Sequence, residues 1–280
     1  MRKIAWITDS TSGLSKDFIE KHNIFVLPMN VIVNDISYRE DIDITKDEFY
    51  EKLKVHGLGA KTSQPTFGEF VELYEKLKTE YDCGIALHAS SELTGTYQSS
   101  QSASEMANFP VEVIDSRIGA YPLGKMIDLG IELEQKGQEY EEIVETLRTL
   151  PEKAQLYLFP ENLEQLRRSG RVSAARSALA SIMNIKLMLC FDNGKVVIHD
   201  KVRTSKRVRK KMNQIIEEAI EKHKLNELCI LHAGVFDQAQ QWKLELEKLH
   251  AHIKFKIETL VPVAGVHTGY GTLGIAWLAK

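Results

Sequence analysis

Along the first half of the chain, short apolar runs alternate with stretches of helical period. Lys3-Ile4-Ala5-Trp6-Ile7, Ile24 to Val33, Gly84 to Ala89 and Val111-Glu112-Val113-Ile114 read as strands. Such runs are too short for buried helices. Between them, Thr45-Lys46-Asp47-Glu48 and Thr66-Phe67-Gly68-Glu69 have capping-box spacing. There a hydroxyl and a carboxylate satisfy each other's backbone N–H groups. The second box opens a stripe of Phe70, Leu73, Tyr74 and Leu77, and Ser15 caps a short helix after the first strand. A long helical region follows Gly119 and breaks near Gly137. This rhythm predicts a mostly parallel, doubly wound sheet.

The pattern changes near Pro151. Leu156-Tyr157-Leu158-Phe159 reads as a strand, and a helix starts at Glu161. Asp192-Asn193-Gly194 between two β runs is a hairpin signal. A helix over 205–223, a strand over 228–231, a helix over 237–250, a strand over 254–260 and a short terminal helix follow. A hairpin beside crossover helices predicts a mixed sheet. The expected architecture is two α/β domains, 1–150 with a mostly parallel doubly wound sheet and 151–280 with a mixed sheet and helices.

Composition adds little: 280 residues, 43% hydrophobic and 27% charged, suit a globular protein. No apolar run approaches the ~20 residues that span a bilayer. The start of the chain passes straight into a strand pattern, so a cytoplasmic location is expected. Cys83, Cys190 and Cys229 sit in apolar runs and read as buried hydrophobes. No histidine pair has metal-site spacing, so no metal or cofactor is expected. Charge is uneven: residues 167–211 hold 13 Lys and Arg against 2 Asp and Glu in a chain of net charge −3. That asymmetry points to an acidic partner or ligand.

Candidate chemistry concentrates in three Ser/Thr blocks at strand ends: Thr8-Asp9-Ser10-Thr11-Ser12, Thr62-Ser63-Gln64-Pro65-Thr66, and Ser90 to Ser100. Hydroxyls and free N–H groups there can receive an anion without a fixed cation. Gly269-Tyr270-Gly271-Thr272-Leu273-Gly274 has dinucleotide-fingerprint spacing. Such a fingerprint opens a βαβ unit and needs an acidic residue about 20 positions on; the context here is wrong. A serine hydrolase would need Ser10 or another serine activated by His267, and no nucleophile-elbow motif is present. A nucleic-acid regulator could use the basic segment, but Phe191 is its only aromatic residue, so stacking platforms are lacking.

Taken together and in order, these pieces resemble the DegV family of bacterial fatty-acid-binding proteins. The resemblance spans the chain. It rests on Thr8-Asp9-Ser10, the Thr62 to Thr66 block, Ser90 to Tyr97, Val113-Ile114-Asp115-Ser116, Glu161-Asn162-Leu163 with Ser169-Gly170-Arg171-Val172, and Gly265-Val266-His267-Thr268-Gly269. Leu93-Thr94-Gly95-Thr96 stands where the family usually has Leu-Ser-Gly-Thr. Tyr270 stands where it usually has Pro after His-Thr-Gly.

The resemblance implies a long-chain fatty acid in a tunnel between the two domains. It also implies a partner, a separate ATP-dependent fatty acid kinase that turns the presented carboxylate into acyl-phosphate for phospholipid synthesis. The chain would then be a substrate-carrying subunit without a catalytic centre, with no cofactor, no nucleic acid partner and at most transient membrane contact. By matching motif positions, Thr62 and Thr94 are the expected main carboxylate contacts. Ser63 and the Gly95 N–H are secondary, and His267 sits in a Gly-rich loop at the mouth. Arg171 and Arg203 face the kinase or its phosphates.

Overall fold

The computed structural model describes residues 2–56, 59–161, 163–172 and 185–279. Asn162 of the Glu161 motif and Arg176 of the basic segment lie outside the described residues.

The parallel sheet forms as the pattern predicts. Strands β1 (Ile4–Asp9), β2 (Phe25–Leu27), β6 (Cys83–His88) and β7 (Val111–Asp115) pair in parallel in the order β2-β1-β6-β7. Every residue of β1 and β6 is buried, as expected for parallel strands covered on both faces. Helices α1 (Lys16–Lys21), α3 (Phe67–Leu77), α4 (Thr96–Ala107), α5 (Ala120–Gln135) and α6 (Tyr140–Thr149) accompany the sheet. Ser15 accepts the Phe18 N–H, and the Thr66–Glu69 box closes in both directions.

A second, three-stranded antiparallel sheet is not visible in the pattern. It holds β3 (Asn30–Val33), β4 (Ile36–Arg39) and β5 (Lys61–Ser63) in the order β4-β3-β5. The Thr62 block, expected as a loop, thus begins as an edge strand with Thr62 opposite Val31. Strand β5 is three residues long and mostly polar, so pairing alone identifies it. Helix α2 (Lys46–His56) packs on this sheet.

All strands of the third sheet follow residue 153. Its order is β10-β9-β8-β13-β11-β12, with β8 (Ala154–Phe159), β9 (Lys186–Asp192), β10 (Lys195–Val202), β11 (Glu227–His232), β12 (Lys254–Thr259) and β13 (Leu273–Leu278). Only β11 and β12 run parallel, so the sheet is mixed. Asn193 and Gly194 turn the β9–β10 hairpin with φ of 46° and 82°, the double positive φ of a tight hairpin turn. Helices α7 (Leu163–Ser169), α8 (Ser205–His223), α9 (Phe236–Leu249) and α10 (Pro262–Thr268) complete the described elements.

The C-terminal end corrects the expectation. The helix comes earlier, as α10, and the chain then enters β13 between β8 and β11. A six-residue apolar run does not separate strand from buried helix by period alone. One apolar cluster, including Trp6, Leu123, Leu158 and Val261, joins the two halves of the chain. Polar ties add to it: the Ser90 hydroxyl donates to the Gly194 carbonyl at 2.8 Å.

Candidate functional site

A cavity of about 440 Å³ opens where the three sheets meet. Leu156 and Leu158 of β8, Leu189 and Phe191 of β9, and Val196 of β10 form one apolar wall. Thr11, Met29 and Ile118 come from the first half of the chain, and Val261, Val263 and Ala264 from around α10. Thr62, Ser63, Gln64, Thr94, Gly95, Arg171 and His267 also line it. Six of the seven expected site residues therefore share one cavity. Arg203 is exposed between β10 and α8 and is not among the lining residues.

Two of them meet directly across 205 positions of sequence: Thr62 Oγ1 and His267 Nε2 lie 2.9 Å apart. His267 stands in the last turn of α10, a correction to its expected place in a Gly-rich loop. Its Nδ1 is buried without a hydrogen-bond partner among the described residues. Burial first, and the Arg171 charge second, push the imidazole down to about 4. It is neutral at pH 7. With Nε2–H donating to Thr62 Oγ1, the Thr62 hydroxyl hydrogen is free to point into the cavity.

Thr94 and Gly95 are engaged differently. Thr94 Oγ1 lies 2.8 Å from Thr96 Oγ1 and donates to Gln64 Oε1 at 3.3 Å. The Gly95 N–H, expected to face a carboxylate, donates to the same Gln64 oxygen at 2.7 Å. Ser63 ends β5 at the cavity wall and is exposed. Arg171 is also exposed.

The supports of the site are polar and buried. Asp9 accepts the Thr11 N–H at 3.0 Å, the Thr11 hydroxyl, the Ala89 N–H at 3.1 Å and His88 Nδ1 at 3.0 Å. It joins the ends of β1 and β6. Burial opposes its charge, but these bonds outweigh burial and hold the carboxyl below its usual range. Glu40 ties α10 to the first half: it accepts the Ser10 hydroxyl and the Val263 N–H. Burial pushes its carboxyl up to about 8. Tyr50 OH donates to the Leu260 carbonyl at 3.0 Å. Sequence patterns do not single out Glu40, because its two partners are 30 and 223 positions away.

The hydrolase pairing does not form. Ser10 bonds Glu40 and the Met29 N–H, while His267 bonds Thr62. An Asp–His–Ser chain does exist: His88 Nε2 lies 3.0 Å from Ser100 Oγ, which lies 2.5 Å from Tyr74 OH. Asp9, His88 and Ser100 are fully buried and none lines the cavity. A nucleophile must reach its substrate, and this serine is closed in on all sides.

The basic segment is partly neutralised by pairing. Lys186 meets Glu161 at 2.5 Å, Lys211 pairs with Asp200, and Arg209 lies over the Trp242 ring at 4.8 Å. Among the described residues, no group of three or more His, Cys, Asp or Glu could hold a metal ion. Among them too, no helix is long and apolar enough to cross a membrane.

A family model described as DegV family, uncharacterised protein, matches residues 3–280. The chain belongs to the DegV family. Protein DegV of Bacillus subtilis is 33% identical over 279 residues, 99% of each chain. The crystal structure of DegV, a fatty acid binding protein from Bacillus subtilis, superposes with a TM-score of 0.91 at 33% identity over 100% of both chains. A DegV family protein from Thermus thermophilus, described for its fatty acid binding, gives 0.89 at 28% identity over the same coverage.

Against that family pattern, Tyr270 replaces the usual Pro beyond α10. Its ring lies directly on Gly234, where an added Cβ would come within 2.4 Å of it. Lys54 covers its ring at 5.6 Å. Packing against Gly234, together with Lys54, restrains the loop that a proline would stiffen through its ring.

Proposed function

We propose that this DegV family member binds a long-chain fatty acid and presents its carboxylate to a separate ATP-dependent fatty acid kinase. The kinase then forms acyl-phosphate for phospholipid synthesis. The observation that carries this reading is a single cavity with apolar walls and a cluster of hydroxyls beside a neutral histidine. Its volume of about 440 Å³ lies within the ~300–1,000 Å³ of small-molecule pockets. A sixteen-carbon tail removed from water is stabilised by on the order of 11 kcal/mol at ~0.8 per methylene, before ordering costs. The named relatives' fatty acid binding supports the same ligand class.

In this reading, Thr62 and Thr94 are the main carboxylate contacts, Ser63 is secondary and His267 closes the mouth. The Gly95 backbone borders the headgroup, its N–H reachable only where Gln64 gives way. Arg171 and Arg203 dock the kinase or steer its phosphates. The ligand lies between domains 1–150 and 151–280. Neutral His267 and the hydroxyls orient the carboxylate without neutralising it, which keeps its oxygen nucleophilic for phosphoryl transfer, where positioning carries most of the catalysis. The chain has no catalytic centre or cofactor of its own. It works in the cytoplasm, with brief membrane contact when it exchanges ligand.

Native mass spectrometry of the purified chain, followed by palmitate titration, tests this. A retained long-chain acid is expected, and the Thr62→Val/Thr94→Val double variant should bind palmitate at least ten-fold more weakly while staying folded, as charge-assisted hydrogen bonds contribute ~1.5–3 kcal/mol each. A wild-type chain whose melting temperature ignores added palmitate would overturn the reading.

A further inference from the structure

Both polar atoms of the Gln64 side chain are engaged with neighbours at the cavity wall. Its Oε1 accepts the Gly95 N–H at 2.7 Å and the Thr94 hydroxyl at 3.3 Å. Its Nε2 donates to Ser99 Oγ at 3.0 Å. The Gly95 N–H is a donor, which fixes the amide oxygen as the atom facing it. Gly95 is the N-cap of α4 and makes no side-chain cap bond of its own. Gln64 supplies that cap from another element. The fit is close: a Cβ on residue 95 would lie 2.8 Å from Gln64 Oε1. A side chain there would displace the Gln64 amide, while φ is an ordinary −81°. Pro65 follows Gln64 and favours an extended backbone at it, aiding a fixed presentation of the side chain.

The site taken by this amide oxygen would otherwise attract an anion. A helix start offers unpaired N–H groups and the positive end of the helix dipole, and Thr94 adds a hydroxyl. A neutral oxygen fills that place instead. Besides Gln64 itself, Arg171 and His267, the other side-chain donors lining the cavity among the described residues are hydroxyls. Thr96 OH can donate to Thr94 Oγ1, and the single Thr94 hydrogen reaches a carboxylate by giving up its long 3.3 Å bond to Gln64 Oε1. Thr62 is released when the His267 tautomer with hydrogen on Nε2 donates to its oxygen across the 2.9 Å contact.

Resting on the fatty-acid reading above, we propose that Gln64 is a specificity-determining residue. Its amide oxygen occupies the N-terminal end of α4 and so restricts the carboxylate to the Thr62 and Thr94 hydroxyls beside His267. The Gly95 N–H is withheld from the ligand, which leaves the carboxylate near the cavity mouth.

Two substitutions move headgroup preference in opposite directions. In Gln64→Glu, a carboxylate caps α4 and accepts the same two bonds, so the fold is kept. Its negative charge then faces the ligand headgroup. Palmitate should bind at least about ten-fold more weakly, while hexadecanol, which has the same tail and no charge, stays within about two-fold, because like charges at one site oppose each other and neutral groups do not. In Gln64→Ala, the Gly95 N–H opens to the ligand, and the preference for palmitate over hexadecanol should rise. Affinities of both ligands are measured for wild type and both variants, with thermal melts alongside. Equal weakening of both ligands would reduce Gln64 to a structural brace and overturn the proposal. So would an unchanged acid-to-alcohol ratio in both variants. Wild type that binds neither ligand would instead overturn the fatty-acid reading itself.

Discussion

Two histidines, buried His88 and half-buried His267, have opposite surroundings. His88, at the end of β6, bonds Asp9 through Nδ1 and Ser100 through Nε2. His267, in the last turn of α10, bonds Thr62 through Nε2 and leaves Nδ1 without a partner among the described residues. The first is sealed in the core; the second lines the cavity. A fully satisfied buried network rigidifies the protein, whereas a half-satisfied group beside a cavity is available to a ligand. The Asp–His–Ser arrangement is therefore structural, and the Thr–His arrangement is the one that lines the cavity and is proposed to meet the ligand.

The largest way to break this comparison is His88→Ala. Asp9 keeps its Thr11 and Ala89 donors but loses the His88 Nδ1 bond in a dry site. Leaving a buried charged acceptor short of a partner costs ~3 kcal/mol, so urea unfolding should show a loss of that order. A loss below ~1 kcal/mol would mean that the network is not a support. His267→Ala should do the reverse. Stability changes by less than ~1 kcal/mol, while palmitate affinity falls about ten-fold, because Thr62 loses the donor that turns its hydroxyl toward the carboxylate. Unchanged affinity in isothermal titration would remove His267 from the mouth.

Smaller effects lie in the pH dependence. The folded-state value of His267 is depressed, to about 4 from 6.5. Its unfolded form binds a proton first, so its stability contribution is lost as pH falls from 6.5 toward 4. Glu40 has a raised value, about 8 against 4.5. Its folded form holds the proton longer, so stability falls as pH rises from 4.5 to 8. The two slopes oppose each other between 4.5 and 6.5, and variants separate them. Thermal melts of His267→Gln should lose the acid-side decline, and those of Glu40→Gln the decline toward pH 8. A Glu40→Gln curve parallel to wild type above pH 6.5 would contradict a buried, proton-holding Glu40 beneath α10.

Much of this was legible in the sequence, and the remainder was hidden for physical reasons. Capping boxes, the Asn193-Gly194 turn and most apolar runs are local signals whose elements form, but the run Ile24 to Val33, expected as one strand, divides at Pro28 into β2 and β3 of different sheets. The three-stranded sheet is not local: β5 is three residues long and exists through pairing with β3. Strand β13 looked helical or ambiguous because both faces are buried and no alternation survives. At the site, Thr62, Ser63, Thr94, Gly95, Arg171 and His267 were named by motif and share the cavity. Gln64 stands inside the same motif, and no local signal marks it. Its role depends on the Gly95 N–H and on Ser99, neighbours that only the folded chain provides.

The most direct test of the central claim is a crystal structure of the chain with palmitate bound. The account predicts the carboxylate within hydrogen-bond distance of the Thr62 and Thr94 hydroxyls, with the tail along Leu158, Leu189 and Val196. A headgroup at the apolar end, or palmitate outside this cavity, would contradict it.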